Sequence, residues 1–140
     1  LDAGGLAPAL QKFATRFQEV CGIACDIPVM GIPAPLTPPG EIDIYRLVEE
    51  ALQNVASHAQ AAFATVVIDY EPNMLCITVQ DDGQGFDYQN WNGNQNGKHF
   101  GLLSMRERVA SLAGELKIWS EPGQGTRLTF QIPNKMEVDR

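Results

Sequence analysis

The stretch Gly40–Ala62, GEIDIYRLVEEALQNVASHAQAA, predicts the element around which the rest of the chain is organised, a helix from Glu41 to Ala62. At about 100° per residue, the apolar side chains of this stretch fall on one arc, as in a helix that covers a core. They are Ile44, Leu47, Val48, Ala51, Leu52, Val55 and Ala59.

A polar stripe runs along the same stretch at a spacing of four residues, through Arg46, Glu50, Asn54 and His58. Four residues exceed one helical turn, so the stripe drifts by about 40° per step towards the apolar arc. We therefore expect Asn54 at the edge of the core and His58 within it. A polar group there needs a partner, either a backbone group or buried water, or else a ligand or hydrated metal in a cavity. The helix alone favours the internal partner.

Length and composition predict one soluble globular domain over residues 1–140, with 44% hydrophobic and 19% charged residues. The net charge of −7 argues against a nucleic-acid partner. Phosphate is not excluded, because backbone N–H groups bind anions without net positive charge. No apolar run is long enough to span a bilayer. Because the chain opens at Leu1 rather than Met, we expect a piece of a longer protein.

The remaining patterns predict helices and strands around the core helix. Apolar spacing predicts helices over 6–20, with Leu6, Leu10, Phe13, Phe17 and Val20 on the inner face, and over 102–113. β-rich or alternating composition predicts strands over 23–30, 64–70, 74–80, 115–120 and 126–132. Pro28 suggests that the first strand is an edge strand. The order of elements predicts the α+β class, with a mixed, mostly antiparallel sheet and helices packed on one face.

Three glycine-bearing turns follow the core helix, at Gly83/Gly85, Gly97/Gly101 and Gly123/Gly125. Glycine in a turn usually means only a positive φ angle, and none of the turns matches the Walker or Rossmann phosphate motifs. Together they are nevertheless what a nucleotide pocket needs. A helix that starts at Gly101–Leu102 offers free N–H groups to phosphate. A carboxylate such as Asp81, at a strand end, accepts a hydrogen bond from an exocyclic amine and thereby selects adenine.

These residues resemble a known family. ExxxN in Glu50–Asn54, DxGxG in Asp81–Gly85, GL in Gly101–Leu102 and GxGT in Gly123–Thr126 look like the N, G1, G2 and G3 boxes of the Bergerat-fold ATPases. Within that superfamily, GLLSMRERVASLAGELKIWSEPGQGTRLTFQIP resembles bacterial sensor histidine kinases of the nitrate-sensor and desaturase-regulator type. The resemblance covers nearly the whole chain. It implies a two-layer α/β sandwich and a protein histidine kinase of two-component signalling.

The resemblance also implies roles for individual residues. Asn54 would hold Mg²⁺ against the phosphates of ATP, and Glu50 would be the acidic catalytic residue. Asp81 would accept from the adenine amino group. The glycines of the first turn would let the chain pass close to the base, and the remaining motif residues would close over the phosphates or line the far wall. These residues are Gly83 and Gly85, then Gly97, Gly101 and Leu102, then Gly123, Gly125 and Thr126.

Several polar residues keep two interpretations. The segment 86–100 would be the ATP lid, whose Lys98 and His99 either reach phosphate or are solvated. Trp91 stays unexplained. His58 is better explained as a packed structural histidine than as a phosphate contact. Asp82 is expected to face solvent or cap a turn. Arg106 and Arg108 either pair with Glu107 or Glu115 at the surface, which is the favoured interpretation, or reach towards phosphate.

The family's phosphoacceptor histidine lies in a dimerisation helix, and neither His58 nor His99 sits in such a context. The expected partners are therefore a phosphoacceptor dimerisation domain from elsewhere in the parent kinase and a response regulator, with no membrane contact by this domain. Alone, the domain is expected to be monomeric. It is expected to be cytoplasmic, a location that also fits the cytoplasmic part of a membrane-bound sensor. The alternative functions are an anti-sigma-type serine kinase and a nucleotide-binding module without catalysis.

Overall fold

The structure, a computed structural model, describes residues 5–32, 38–88 and 101–133. In chain order the elements are α1 (Leu6–Cys21), β1 (Ala24–Asp26), β2 (Val29–Gly31), α2 (Pro38–Asn54) with a π-helical turn (Val55–Ala59), β3 (Phe63–Glu71), β4 (Met74–Asp81), α3 (Leu102–Ser111), β5 (Glu115–Ser120) and β6 (Thr126–Pro133). Within the described ranges, no helix is both long and apolar enough to cross a membrane.

The strands form one mixed sheet in the order β1-β3-β4-β6-β5, with β2 also paired to β3. β1 and β2 run parallel to β3, whereas β3, β4, β6 and β5 are successively antiparallel. The predicted strand over 23–30 is therefore two short strands at an edge, separated by Ile27 and Pro28. The break coincides with the proline, which has no N–H to donate to a ladder. The predicted α+β class is confirmed.

One face of the sheet forms the core with the helices. Alternate residues of β3, β4 and β6 are buried: Ala64, Val66, Ile68, Tyr70, Leu75, Ile77, Val79, Leu128, Phe130 and Ile132. This alternation is the period of two expected where one sheet face is covered and the other meets solvent. The covering helices contribute further buried side chains, including Leu10, Leu47, Leu52 and Met105.

The first helix packs as predicted at three of its five inner positions. Leu6, Leu10 and Phe17 are buried, whereas Phe13 is half-buried and its neighbour Ala14 is buried. Val20, in the last turn, is 76% exposed. Gly22 ends the helix in the left-handed conformation, and its N–H donates to the Gln18 carbonyl.

The central helix differs from the prediction at both ends. It begins at Pro38, inside the proline-rich connector, because a proline is tolerated in the first turn, where its missing N–H would be unpaired anyway. After Asn54 the chain continues as a π-helical turn to Ala59 rather than as an α-helix to Ala62. A π-turn advances by a smaller angle per residue than an α-helix. The polar stripe therefore stops drifting inwards, and His58 is exposed rather than buried. The prediction of a packed histidine is wrong.

Candidate functional site

The predicted site residues on the sheet lie in a row of cross-strand neighbours that spans four strands. This row contains polar side chains, whereas the next row on the same face is apolar. Cross-strand pairing aligns Ala64 with Asp81, Asp81 with Thr126, and Thr126 with Ser120. The adjacent row on the same face is wholly apolar: Val66, Val79, Leu128 and Ile118. We call the first set the polar row (Ala64, Asp81, Thr126 and Ser120). Three of its four side chains, those of Asp81, Thr126 and Ser120, bring hydrogen-bonding groups to the end of the hydrophobic face of the sheet.

Asp81 occupies the middle of the polar row and is only 7% exposed. Its Oδ1 accepts the Gly83 N–H at 2.8 Å, and the Thr126 backbone N–H also bonds the carboxyl group. Burial raises the pKa of Asp81, the Gly83 bond opposes that rise by favouring the ionised form, and the negative charge of Asp82 adds to it. When ionised, the buried carboxylate is an acceptor for a donor on a ligand.

The turn after Asp81 is held from two sides by backbone contacts. The Gln84 N–H donates to the Ala59 carbonyl at 2.6 Å, and the Gln84 carbonyl accepts the Gly123 N–H at 2.7 Å. A Cβ on Gly83 would overlap the Ala59 carbonyl, and one on Gly85 would overlap the Glu121 carbonyl. Glycine is therefore required by close approach of backbone to backbone. This packing joins the end of the central helix, the first glycine turn and the 121–125 turn.

Gly125 makes the third such approach, because a Cβ there would overlap the Asp81 carbonyl oxygen. Its φ of +84° is also a conformation that side-chain-bearing residues rarely adopt. Gly123, by contrast, has a positive φ but open space around its Cα, at the exposed tip of the turn. Of the two glycines predicted to line the far wall, the structure packs Gly125 against Asp81 and leaves Gly123 outside.

Glu50, Asn54 and Gly101 come together at a second corner. Glu50 and Asn54 are half-buried on successive turns of α2. A Cβ on Gly101 would lie 2.9 Å from Glu50 Oε2 and 3.3 Å from Asn54 Nδ2. Gly101 is the N-cap of α3, with φ +86°, and Leu102 behind it is buried. The positive end of α3 thus meets a carboxylate and an amide.

The other predicted residues fall into two groups. Asp82 is exposed, and its Oδ1 accepts the N–H groups of Ala62 and Phe63, at 2.9 and 3.0 Å, so it caps the segment before β3. His58 contributes only its backbone carbonyl, which accepts from the Gln84 side chain. Four predicted lid residues lie outside the described residues: Trp91, Gly97, Lys98 and His99.

Two contacts were not anticipated from the sequence. Ser120 is 4% exposed and bonds groups from both glycine turns. Its signal was present, since it follows Leu116 and Ile118 at the inward positions of β5. Arg106 donates to the Leu116 carbonyl at 3.4 Å and the Tyr88 hydroxyl at 3.2 Å. No local pattern predicts that second contact, because the two residues belong to separate elements.

The arrangement offers two kinds of binding. The polar row supplies buried acceptors for an amine. The corner of Glu50, Asn54 and Gly101 supplies a carboxylate and a side-chain amide, two groups whose oxygens Mg²⁺ uses as ligands, together with a helix N-terminus suited to phosphate. These residues fit a magnesium nucleotide.

Comparisons with known proteins agree with this geometry. A family model described as "Histidine kinase-, DNA gyrase B-, and HSP90-like ATPase" matches residues 40–136. The signal transduction histidine-protein kinase/phosphatase DegS of Brevibacillus brevis is 38% identical over 95% of this chain, which spans 33% of that relative. The nitrate/nitrite sensor protein NarX of Escherichia coli K12 is 30% identical over 99% of this chain, which spans 23% of it.

A solved structure gives the same result for the fold. The histidine kinase domain of the blue-light activated histidine kinase from Erythrobacter litoralis EL346 superposes with a TM-score of 0.69 and 27% identity. The match covers 92% of this chain and 65% of that one.

Proposed function

Because the chain belongs to the family of histidine kinase-, DNA gyrase B- and HSP90-like ATPases, we propose that it is the ATP-binding catalytic domain of a sensor histidine kinase. Its reaction would transfer the γ-phosphoryl group of Mg·ATP to a histidine on a separate dimerisation domain. Phosphate would then pass to a response regulator. We also propose a cytoplasmic location, where ATP is supplied. The observation that carries the proposal is the close approach of Gly101, at the α3 N-terminus, to the side chains of Glu50 and Asn54, which leaves no room for a Cβ.

Each corner of the site has its own task in this proposal. Asp81 accepts a hydrogen bond from the adenine amino group. Asn54 holds the Mg²⁺, which supplies neutralising charge to the phosphates when bound. The N–H groups at Gly101 and Leu102 orient the phosphate oxygens. Glu50, at the same corner, is the acidic catalytic residue, which positions the acceptor histidine or accepts its proton. Catalysis then rests on positioning and charge neutralisation, as is usual for phosphoryl transfer.

Calorimetry of ATP binding with and without Mg²⁺ tests the binding part. We expect wild type to bind more tightly with Mg²⁺, and Asn54→Ala to lose that gain while keeping its Mg²⁺-free affinity. Gln53→Ala, an exposed neighbour on α2, is the matched control and should behave as wild type. A wild-type chain that binds no adenine nucleotide would refute the proposal.

The transfer part needs a supplied acceptor domain and radiolabelled ATP. We expect label on the acceptor histidine, and a large loss of transfer with ATP binding retained in Glu50→Gln. Label on a serine of an antagonist protein would instead identify a serine kinase of the same fold. ATP binding with no transfer to any supplied acceptor would leave a nucleotide-binding module.

A further inference from the structure

Ser120 links the two glycine turns on either side of the polar row. The Phe86 N–H, beyond the first turn, donates to Ser120 Oγ at 2.9 Å. Ser120 Oγ also lies 2.9 Å from the Gly125 carbonyl and 2.9 Å from Thr126 Oγ1. Because Ser120 is the last residue of β5 and nearly fully buried, these protein groups are its hydrogen-bond partners.

Counting hydrogens fixes the direction of these bonds. A serine hydroxyl has one hydrogen to donate and two lone pairs to accept with. If Ser120 donates to the Gly125 carbonyl, its oxygen accepts from Phe86 and Thr126, and three bonds form. If it donates to Thr126, the Gly125 bond is lost and only two form. Since a buried polar group left unpaired costs free energy, the three-bond arrangement prevails.

This arrangement commits the hydrogen of the Thr126 hydroxyl to Ser120. Thr126 Oγ1 then has only lone pairs for other partners. Asp81, the next residue in the polar row, is likewise only an acceptor when ionised. Two neighbouring acceptors favour a ligand edge that donates, such as an amino group, and disfavour a carbonyl oxygen.

We propose that Ser120 is a positioning residue that makes the polar row prefer an amino group to a carbonyl on the nucleobase. It acts through the Thr126 hydroxyl and touches no reacting atom itself. This inference rests on the proposed nucleotide site and extends it from binding to base selectivity. In Ser120→Ala the Thr126 hydroxyl is free to rotate. It can then donate a hydrogen bond to a base carbonyl, which it does not do in wild type.

The test compares ATP with inosine triphosphate, whose base carries a carbonyl where adenine carries the amino group. Dissociation constants for both nucleotides are measured by calorimetry with wild type, Ser120→Ala and Ser120→Thr. We expect wild type to prefer ATP, Ser120→Ala to lose about fivefold of that preference, as one hydrogen bond implies, and Ser120→Thr to retain it. The ratio of the two dissociation constants is the readout, because partial unfolding weakens the binding of both nucleotides by the same factor.

Ser111→Ala is the matched control, since it removes an exposed hydroxyl that bonds only the Arg108 carbonyl among the groups described. It should leave the ratio unchanged. If Ser120→Ala shows no cooperative unfolding transition, Ser120→Cys replaces it; its sulfur accepts the Thr126 hydrogen more weakly than a hydroxyl oxygen does, so the ratio should also fall. An unchanged ratio in the folded variant, or equal binding of both nucleotides by wild type, overturns the inference while ATP binding stands. Absence of ATP binding by wild type overturns the proposed function instead.

Discussion

Two rows of residues on the same sheet face, four residues apart along each strand, differ in polarity and in role. The polar row contains Asp81, Thr126 and Ser120, whereas the other row is Ile68, Ile77, Phe130 and Leu116. Strand geometry separates them by about 13 Å. Both rows are buried or nearly so. Removing the apolar row from water stabilises the fold. The polar row can be buried without a large free-energy cost only if its side chains have hydrogen-bond partners, here backbone N–H groups.

The difference shows where in this fold polar side chains can be buried with little loss of stability. The glycine turns supply those N–H groups at the end of the sheet, next to Asp81 and Ser120. A polar residue in the apolar row would have no such donors from turns, because regular strand pairing already uses the backbone there. Variants of the two rows should therefore separate stability from binding.

The largest expected effect is on stability, from truncating the apolar row. Phe130 is fully buried, so Phe130→Ala should lower the free energy of unfolding by about 3–5 kcal/mol. Urea unfolding followed by circular dichroism measures it. The control is Trp119→Ala, an aromatic 38% exposed and stacked on Arg127, for which about 1 kcal/mol or less is expected. Equal losses in the two variants would contradict the one-sided core.

The next effect is on binding, from changing the polar row. Asp81→Asn should weaken ATP binding by about 100-fold, because an amide presents a donor where the buried carboxylate accepts. The free energy of unfolding should change by about 1 kcal/mol or less, since relief from burying a charge offsets a weakened N–H contact. Calorimetry and urea unfolding measure the two quantities. Asp26→Asn, which changes an exposed carboxylate on β1 outside the polar row, should bind as wild type does. A parallel loss of both quantities in Asp81→Asn would mean that Asp81 is structural.

A smaller effect is expected at the second corner. Gly101→Ala places a methyl group against Glu50 and Asn54 and should weaken Mg·ATP binding about tenfold, or about 1.4 kcal/mol. Gly22→Ala is the matched control, because it carries a similar positive φ but has nothing within 4 Å. Both variants should lose similar stability, and only Gly101→Ala should lose affinity in calorimetry. Wild-type affinity in Gly101→Ala would remove this corner from the phosphate site.

The smallest effect is a pH dependence with opposite signs for stability and binding. The pKa of Asp81 is raised by burial, so the folded chain binds this proton more tightly than the unfolded chain. Its contribution to stability is complete below the unfolded-state pKa and is lost as pH rises through the folded-state pKa. ATP affinity should rise over the same window, because the ionised form accepts from the amine. Comparing wild type with Asp81→Asn isolates this group. Affinity and stability that rise together would contradict the assignment.

Much of the fold followed from local patterns. Alternation in β3, β4 and β6 predicted which side chains are buried, and the hairpin of β3 and β4 lies where its turn indicated. The apolar arc of the central helix is buried from Ile44 in α2 to Val55, the first residue of the π-helical turn. These features depend on residues within a few positions of one another, so a linear sequence reveals them.

The ends of the helices were predicted less well from the sequence. Val20 and His58 were both placed inside by extending a helical period one step too far. In α1 the last turn passes the edge of the packed layer, so Val20 reaches solvent. In α2 the π-turn alters the winding, and no residue pattern in Val55–Ala59 signals that change.

By itself, the sequence determined the order of the elements, the face that each strand buries and the glycines at which backbone can approach backbone. Periodicity and the absence of a Cβ are properties of nearby residues. Only the tertiary structure decided that Asp81, Thr126 and Ser120 form one row, and that Gly101 meets Glu50 and Asn54. Those meetings depend on strand register and on helix docking, which are set by the burial of the whole core.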